Sequence, residues 1–249
     1  MRKIFGMSNQ PSNLEQERFY GRRHGKKIKG TRVFLAEQFL PKVALSVPDK
    51  ITPPETYFPS KPQKLYLEIG FGGGEHLAGQ AFKHPDIGFI GAEPFLNGVV
   101  SLLAHLNGSW GKAANTDRLW KEGQADNVRI FADDVRLILP FWPDNSFDKI
   151  FVLYPDPWPK TRHEDRRFVG QKNLKELYRL LKKDGELRIA TDVEDYATWA
   201  QEQVTLSQLF IQKNKNVRQP PTDWISTRYE QKGLSAGRHP TYLTYIPKK

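Results

Sequence analysis

The residues Glu68-Ile69-Gly70-Phe71-Gly72-Gly73-Gly74 follow a short apolar run and precede a helix-like one. Glycine reaches backbone angles closed to other residues and carries no Cβ, so this alternating spacing makes a turn that a ligand can approach closely. The spacing is not the dinucleotide fingerprint G-x-G-x-x-G, because Glu75 stands three after Gly72 and Leu77 three after Gly74. Nor is it a Walker loop: Gly25 and Gly30 have that spacing, but Thr31 stands where the lysine must be. Acids end successive apolar runs: Glu68, then Glu93 in Gly91-Ala92-Glu93-Pro94, then Asp133 in Phe131-Ala132-Asp133-Asp134, with Asp134 an adjacent alternative. At the carboxyl ends of strands in an open α/β sheet, such acids accept hydrogen bonds from ligand hydroxyl and amino groups. Asp156 lies in Tyr154-Pro155-Asp156-Pro157-Trp158-Pro159-Lys160-Thr161-Arg162-His163. Prolines on both sides restrict its backbone and hold the carboxylate rigidly.

The pattern E-x-G-x-G-x-G resembles the first motif of class I S-adenosylmethionine-dependent methyltransferases. That resemblance implies that the loop at Gly70, Gly72 and Gly74 and the helix start behind it meet the carboxylate end of the cofactor's methionine moiety. Glu93 then accepts from both ribose hydroxyls, and Asp133 or Asp134 from the adenine amino group. The run P-D-P-W-P-K-T-R-H-x-x-R-R is narrower and resembles the hallmark of the bacterial tRNA (guanine(46)-N(7))-methyltransferase family. Ala190-Thr191-Asp192 and Thr227-Arg228-Tyr229-Glu230, with Lys232-Gly233, match that family as well, and the match runs from about Arg22 to Ile246. It implies cofactor contacts at Glu68, Glu93, Asp133 and Asp156, with Asp156 also the active-site acid. It further implies tRNA contacts at Lys160, Asp192, Thr227, Arg228, Tyr229 and Glu230. Two departures stand out: the family often has Phe where Tyr229 stands, and the stretch 107–126 is longer than usual.

The implied chemistry is undemanding in acid–base terms. Guanine N7 carries an unshared pair and no proton near neutral pH, so it attacks a sulfonium methyl group without a general base. Catalysis then rests on alignment and on exclusion of water, with Asp156 balancing the positive charge that passes to the purine; a general base is the weaker alternative. Asp192 suits holding a flipped-out base. Lys160, Arg162, Arg166 and Arg167 suit phosphates, and Trp158 is either a stacking platform or a core residue.

Elements that position these groups are legible from periodicity. Strands are expected at 65–69, 87–92, 128–132, 149–153 and 186–190, alternating with helices at 75–83, 96–106, 173–181 and 194–206. Two later runs, 209–213 and 242–246, suit an antiparallel edge. The expectation is a Rossmann-like α/β fold: a mostly parallel sheet with helices on both faces. Ahead of it, 1–32 reads as a basic arm, either tracking RNA or a soluble tail, with 33–249 a single methyltransferase domain containing an irregular insertion near 107–126. Prolines at 41, 48, 53, 54, 59 and 62 suggest an extended connection up to residue 64.

Composition agrees. The 249 residues include 38 Lys and Arg against 28 Asp and Glu, a net charge of +10, which points to a polyanionic partner, nucleic acid ahead of a membrane surface. The absence of cysteine removes disulfide frameworks, thiol nucleophiles and cysteine-ligated metals, and the six histidines form no metal-binding pattern, so no metal is expected. No apolar run approaches the roughly 20 residues of a membrane helix, and the N-terminus lacks a secretory signal, so a cytoplasmic protein is expected. The sequence does not distinguish a monomer from a homodimer. The competing reading is a noncatalytic RNA-binding module with a vestigial nucleoside pocket.

Overall fold

The run Leu65-Tyr66-Leu67-Glu68-Ile69 is buried at every position, as befits a central parallel strand covered by helices on both faces. The computed structural model describes residues 21–108 and 125–249. The beginning of the expected arm and most of the expected insertion therefore lie outside the described residues. In chain order the elements are α1 (Thr31–Gln38), α2 (Leu40–Val43), β1 (Leu65–Ile69), α3 (Glu75–Lys83), β2 (Gly88–Ala92), α4 (Leu96–Leu106), β3 (Val128–Phe131) and β4 (Phe147–Leu153). They continue with α5 (Gln171–Leu180), β5 (Leu181–Thr191), α6 (Glu194–Ser207), β6 (Phe210–Gln212), α7 (Arg228–Ser235) and β7 (Thr241–Pro247).

The seven strands lie in the order β3-β2-β1-β4-β5-β7-β6. The first five are parallel, and β7 runs antiparallel between β5 and β6. Strand order reverses at β1, whose neighbours are β2 and β4, and ligands of open α/β sheets bind beyond the carboxyl ends of the strands at such a reversal. The two-residue period of a strand divides the core. Leu67 and Ile69 pack with Leu174, Leu177, Tyr196 and Val204 of α5 and α6, while Tyr66 packs with Leu77 of α3 and Leu102 and Leu103 of α4. In α5 the buried residues Leu174, Leu177 and Leu180 recur every third position, one stripe against the sheet.

The expected strands and helices are present, with β1, α3 and α4 at the expected limits. The proline-rich connection differs: it contains α1 and α2, because Leu35, Phe39, Leu40 and Val43 bury against the α4 face of the sheet. Pro41 is tolerated there because it stands in the first turn of α2, where its missing N–H has no partner to lose. α7 was also not expected from periodicity; it is a short polar helix whose start is fixed by a capping box, Thr227 with Glu230. Among the described residues no helix is long and apolar enough to cross a membrane.

Candidate functional site

The glycine turn leaves β1 with Gly70, Gly72 and Gly74 all in the left-handed region, at φ of 68°, 56° and 81°. The Gly70 amide donates to Ala92 O at 2.8 Å, tying the turn to the end of β2. A Cβ at Gly74 would stand 2.6 Å from Leu102 Cβ, so the missing side chain lets α3 start close against α4. A Cβ at Gly72 would stand 2.9 Å from the ring of Tyr229, which brings α7 over the turn. Beside it opens a cavity of about 1210 Å³, lined among others by Gly70, Gly72, Glu93, Asp134, Asp156 and Tyr229. That exceeds the roughly 300–1,000 Å³ of ordinary ligand pockets and leaves room for a nucleoside-sized ligand beside a second reactant.

Glu93 is 7% exposed. One carboxylate oxygen accepts from Gly72 N at 2.7 Å and the other from Phe95 N at 2.8 Å. Each oxygen keeps a lone pair for a ligand donor. Burial pushes this carboxyl up to about 7 against the lowering effect of the two amides, and the neighbouring Asp156 and Glu68 carboxylates add to the rise.

Glu68 lies outside the cavity lining. The strand period that turns Ile69 toward the cavity turns Glu68 toward α3, where its carboxylate accepts from His76 Nδ1 at 2.7 Å. Gln80, one turn further along α3, donates to Asp223 O at 2.8 Å and stands 3.3 Å from His76 Nε2. Glu68 thus ties the end of β1 to α3. Of the two adjacent acids after β3, Asp134 lines the cavity and Asp133 does not. Asp134 holds the Arg136 guanidinium at 2.6 Å and accepts from Arg136 N at 3.0 Å, while Asp133 accepts from Arg23 at 2.6 Å. Arg23 belongs to the basic arm, which runs along the start of α4. Leu96 N donates to Arg23 O at 3.0 Å, and Asn97 accepts from Gly25 N and donates to Lys26 O, each at 2.9 Å. Gly21 and Arg22 of this arm reach the cavity.

Asp156 is exposed and lines the cavity between two non-glycine residues of positive φ, Tyr154 at 51° and Trp158 at 42°. Each such position costs on the order of 1–3 kcal/mol and persists only where surrounding contacts enforce it. Trp158 is part of the cavity rim rather than the core: the Arg166 guanidinium lies 5.2 Å from its ring centre and His163 meets it edge-on. Lys160 is exposed just before the tight turn Thr161–Arg166 and does not line the cavity. Arg167, expected on phosphates, is instead 9% exposed, and its guanidinium donates to Pro157 O at 3.0 Å and Trp158 O at 3.3 Å. Its place in a run of basic residues gave no signal of that burial.

The C-terminal segment splits in role. Tyr229 is half-exposed over Gly72 and lines the cavity. Arg228 lies 3.5 Å from Glu75 at the start of α3. Thr227 and Glu230 turn inward: Thr227 caps the Glu230 amide at 3.0 Å, and the buried Glu230 carboxylate accepts from Trp224 Nε1 at 2.8 Å and from the Tyr242 hydroxyl. Asp192, at the end of β5, accepts from Arg238 Nε at 2.7 Å and stands against Gly233. The structure therefore gathers Gly70, Gly72, Glu93, Asp156 and Tyr229 in one cavity and gives Glu68, Thr227 and Glu230 supporting contacts. Among the described residues no group of three or more acids and histidines could hold a metal ion.

A β1-centred sheet with a single antiparallel strand inserted near one edge, a glycine turn after β1 and an acid after β2 defines a Rossmann-like class I methyltransferase. The solved structure of the 16S rRNA methyltransferase KamB shares this fold, with a TM-score of 0.51 and 14% identity over 76% of this chain and 90% of that one. Residues 62–243 match the family described as "Putative methyltransferase". Proteins called tRNA (guanine-N(7)-)-methyltransferase are closer. That of Paramagnetospirillum magneticum is 43% identical over 235 residues, 93% of each chain. That of Rhodospirillum rubrum is 41% identical over 93% of this chain and 88% of its own, and that of a Chelativorans species 38% identical over 96% and 99%. The chain belongs to the tRNA (guanine-N(7)-)-methyltransferase family.

Proposed function

We propose that the chain methylates N7 of a guanine in tRNA, that S-adenosylmethionine is the methyl donor, and that the target is the guanine at position 46 of the variable loop. The observation that carries this reading is the single cavity in which the glycine turn, Glu93, Asp156 and Tyr229 meet, in a chain 43% identical to a tRNA (guanine-N(7)-)-methyltransferase. Position 46 rests on the hallmark segment from Pro155 to Arg167. A tRNA substrate fits a cytoplasmic protein.

The residues present fit the cofactor. Gly70 and Gly72 present backbone without Cβ to the cavity, Glu93 keeps lone pairs on both oxygens, and Asp134 with Val135 and Arg136 walls the side beyond it. In this reading the turn meets the cofactor's amino-acid end and Glu93 accepts from its ribose hydroxyls. When bound, the cofactor supplies an electrophilic methyl group that the N7 lone pair takes up, so the protein has no proton to remove. Asp156 has two tasks: accepting from the N1–H and amino edge of guanine, and offsetting the positive charge that grows on the ring. Tyr229 offers a flat apolar face above the turn against which a base can stack, and closure of that face excludes water. The exposed cations Arg22, which lines the cavity, and Lys160 and Arg162, which follow the cavity-lining Pro159, suit backbone phosphates.

Purified protein incubated with S-adenosylmethionine and unmodified tRNA tests this, with nucleoside mass spectrometry and mapping of the product. 7-Methylguanine at position 46 is expected. None at saturating cofactor overturns the reading, and 7-methylguanine confined to another position overturns the assignment of the site. Asp156→Ala is expected to lose on the order of 10²-fold in turnover while still binding S-adenosylhomocysteine.

A further inference from the structure

The loop that carries Asp156 has an unusual backbone problem. Pro155, Pro157 and Pro159 have no N–H, so the stretch is poor in donors of its own, and its carbonyls need partners from elsewhere. Two residues within it, Tyr154 and Trp158, stand at positive φ without being glycine, so the loop relaxes unless it is held at both ends. The upstream anchor is the Tyr154 amide, which donates to Ala190 O of β5 at 2.7 Å. The downstream anchor is Arg167. Its Nε donates to the carbonyl of Pro157, the residue directly after Asp156, and its second terminal nitrogen to the carbonyl of Trp158.

Arg167 lines the cavity, but its guanidinium is taken up by groups of the protein rather than left for a phosphate. Its side chain is 7% exposed, and its remaining nitrogen faces Glu164 at 3.7 Å. The guanidinium carbon lies 4.7 Å from the ring centre of Trp199 on α6, so the plane is packed on one side by an aromatic face. That platform is itself fixed: Trp199 Nε1 donates to Val169 O at 3.0 Å, and the Tyr196 hydroxyl accepts from Val169 N at 3.4 Å. A rigid fork on a rigid platform thus holds two consecutive carbonyls beside the active-site acid. A lysine, with one compact donor group and no planar face to stack, cannot reproduce this geometry.

We propose that Arg167 is the positioning residue for Asp156: its guanidinium clamps the Pro157 and Trp158 carbonyls and thereby sets where the Asp156 carboxylate meets the guanine. The proposal rests on the function proposed above, and wild-type protein that forms no 7-methylguanine strikes that function rather than the clamp. With active wild type, the test is Arg167→Lys, with Arg167→Gln as a second variant that keeps one donor for one carbonyl. The expected result is a kcat lowered about 10- to 100-fold in Arg167→Lys, as small misplacements of reacting groups produce, and a smaller loss in Arg167→Gln. The KM for tRNA and the Kd for S-adenosylhomocysteine are expected to stay within about threefold of wild type, since the Arg167 guanidinium is already held by the loop carbonyls and the Trp199 ring. Combined with Asp156→Asn, Arg167→Lys should cost less than about threefold more, because a residue acting through Asp156 has nothing left to position. Any of four results overturns the proposal: wild-type kcat in Arg167→Lys, a raised KM for tRNA with kcat intact, fully multiplicative losses in the double variant, or loss of S-adenosylhomocysteine binding in both single variants. The last would make Arg167 a residue of the fold alone.

Discussion

Glu93 is the residue whose setting gives the clearest pH signature. Burial holds its carboxyl at about 7, above the ordinary 4.5, with Asp156 and Glu68 contributing. The folded protein keeps a proton there that the unfolded chain releases near 4.5. On this group's account, stability is fullest below that value and is lost as the pH rises to about 7. Ligand binding runs the other way, because a hydroxyl donates better to the ionised carboxylate. The affinity for S-adenosylhomocysteine is therefore expected to rise by roughly tenfold between about pH 6 and pH 8, levelling off above. Calorimetry at the two pH values measures it, with Glu93→Gln giving a weaker and pH-independent Kd. Equal wild-type affinities at both ends would show that Glu93 does not meet the ligand.

At the level of elements, α7 places Tyr229 over the glycine turn, and the helix has only eight residues. So short a helix is marginal without its cap and its packing. Thr227→Val removes the capping hydroxyl at nearly constant volume and is expected to cost about 1 kcal/mol, a fall in Tm of about 2–4 °C for a chain of this length. Thermal denaturation followed by circular dichroism checks it; an unchanged Tm would mean that packing alone holds α7. The family resemblance marks Thr227 and Glu230 as tRNA contacts, whereas their side chains here hold the helix end and the buried Trp224 and Tyr242. Four residues before Thr227, Asp223 accepts from Lys149 at 2.8 Å and Arg188 at 2.7 Å, and fixes the approach to α7 on the sheet. The strongly lowered Asp223 carboxyl reflects those two cations, which overcome its burial.

For the whole molecule, the +10 charge leaves cations in excess for a polyanion. Glu93, Asp134 and Asp156 line the cavity together with the exposed cations Arg22 and Lys172, and Lys160 and Arg162 are exposed in the segment that follows the cavity-lining Pro159. Phosphate contacts release counterions, and the logarithm of affinity falls by about 0.9 or less per contact for each logarithmic unit of salt. With roughly four contacts, tRNA affinity is expected to drop about 10²-fold between about 50 and 200 mM salt. The affinity for S-adenosylhomocysteine should hardly move. Fluorescence anisotropy with labelled tRNA across a salt series distinguishes this from a flat response, which would remove the cationic frame from RNA binding.

Much of this was legible in the amino-acid order. The alternation of short apolar runs with helical periods gave the sheet, because burial on both faces demands runs such as Leu65 to Ile69, and the glycine turn marked the ligand edge, because Gly70, Gly72 and Gly74 are needed for positive φ. α1 is not legible there because its apolar positions make sense only once the α4 face they cover exists. The direction of a side chain at a turn or strand end was equally out of reach. Glu68 and Ile69 are neighbours, yet a half-period of pleat sends one to His76 and the other to the cavity. Arg166 and Arg167 are alike in sequence, yet one lies against Trp158 at the rim and the other is buried beneath the same loop. The sequence by itself determined the sheet, the ligand edge and the chemistry that its acids can do. Only the tertiary structure decided which of those acids and cations reach the cavity and which hold it open, because that depends on contacts between residues far apart in the chain.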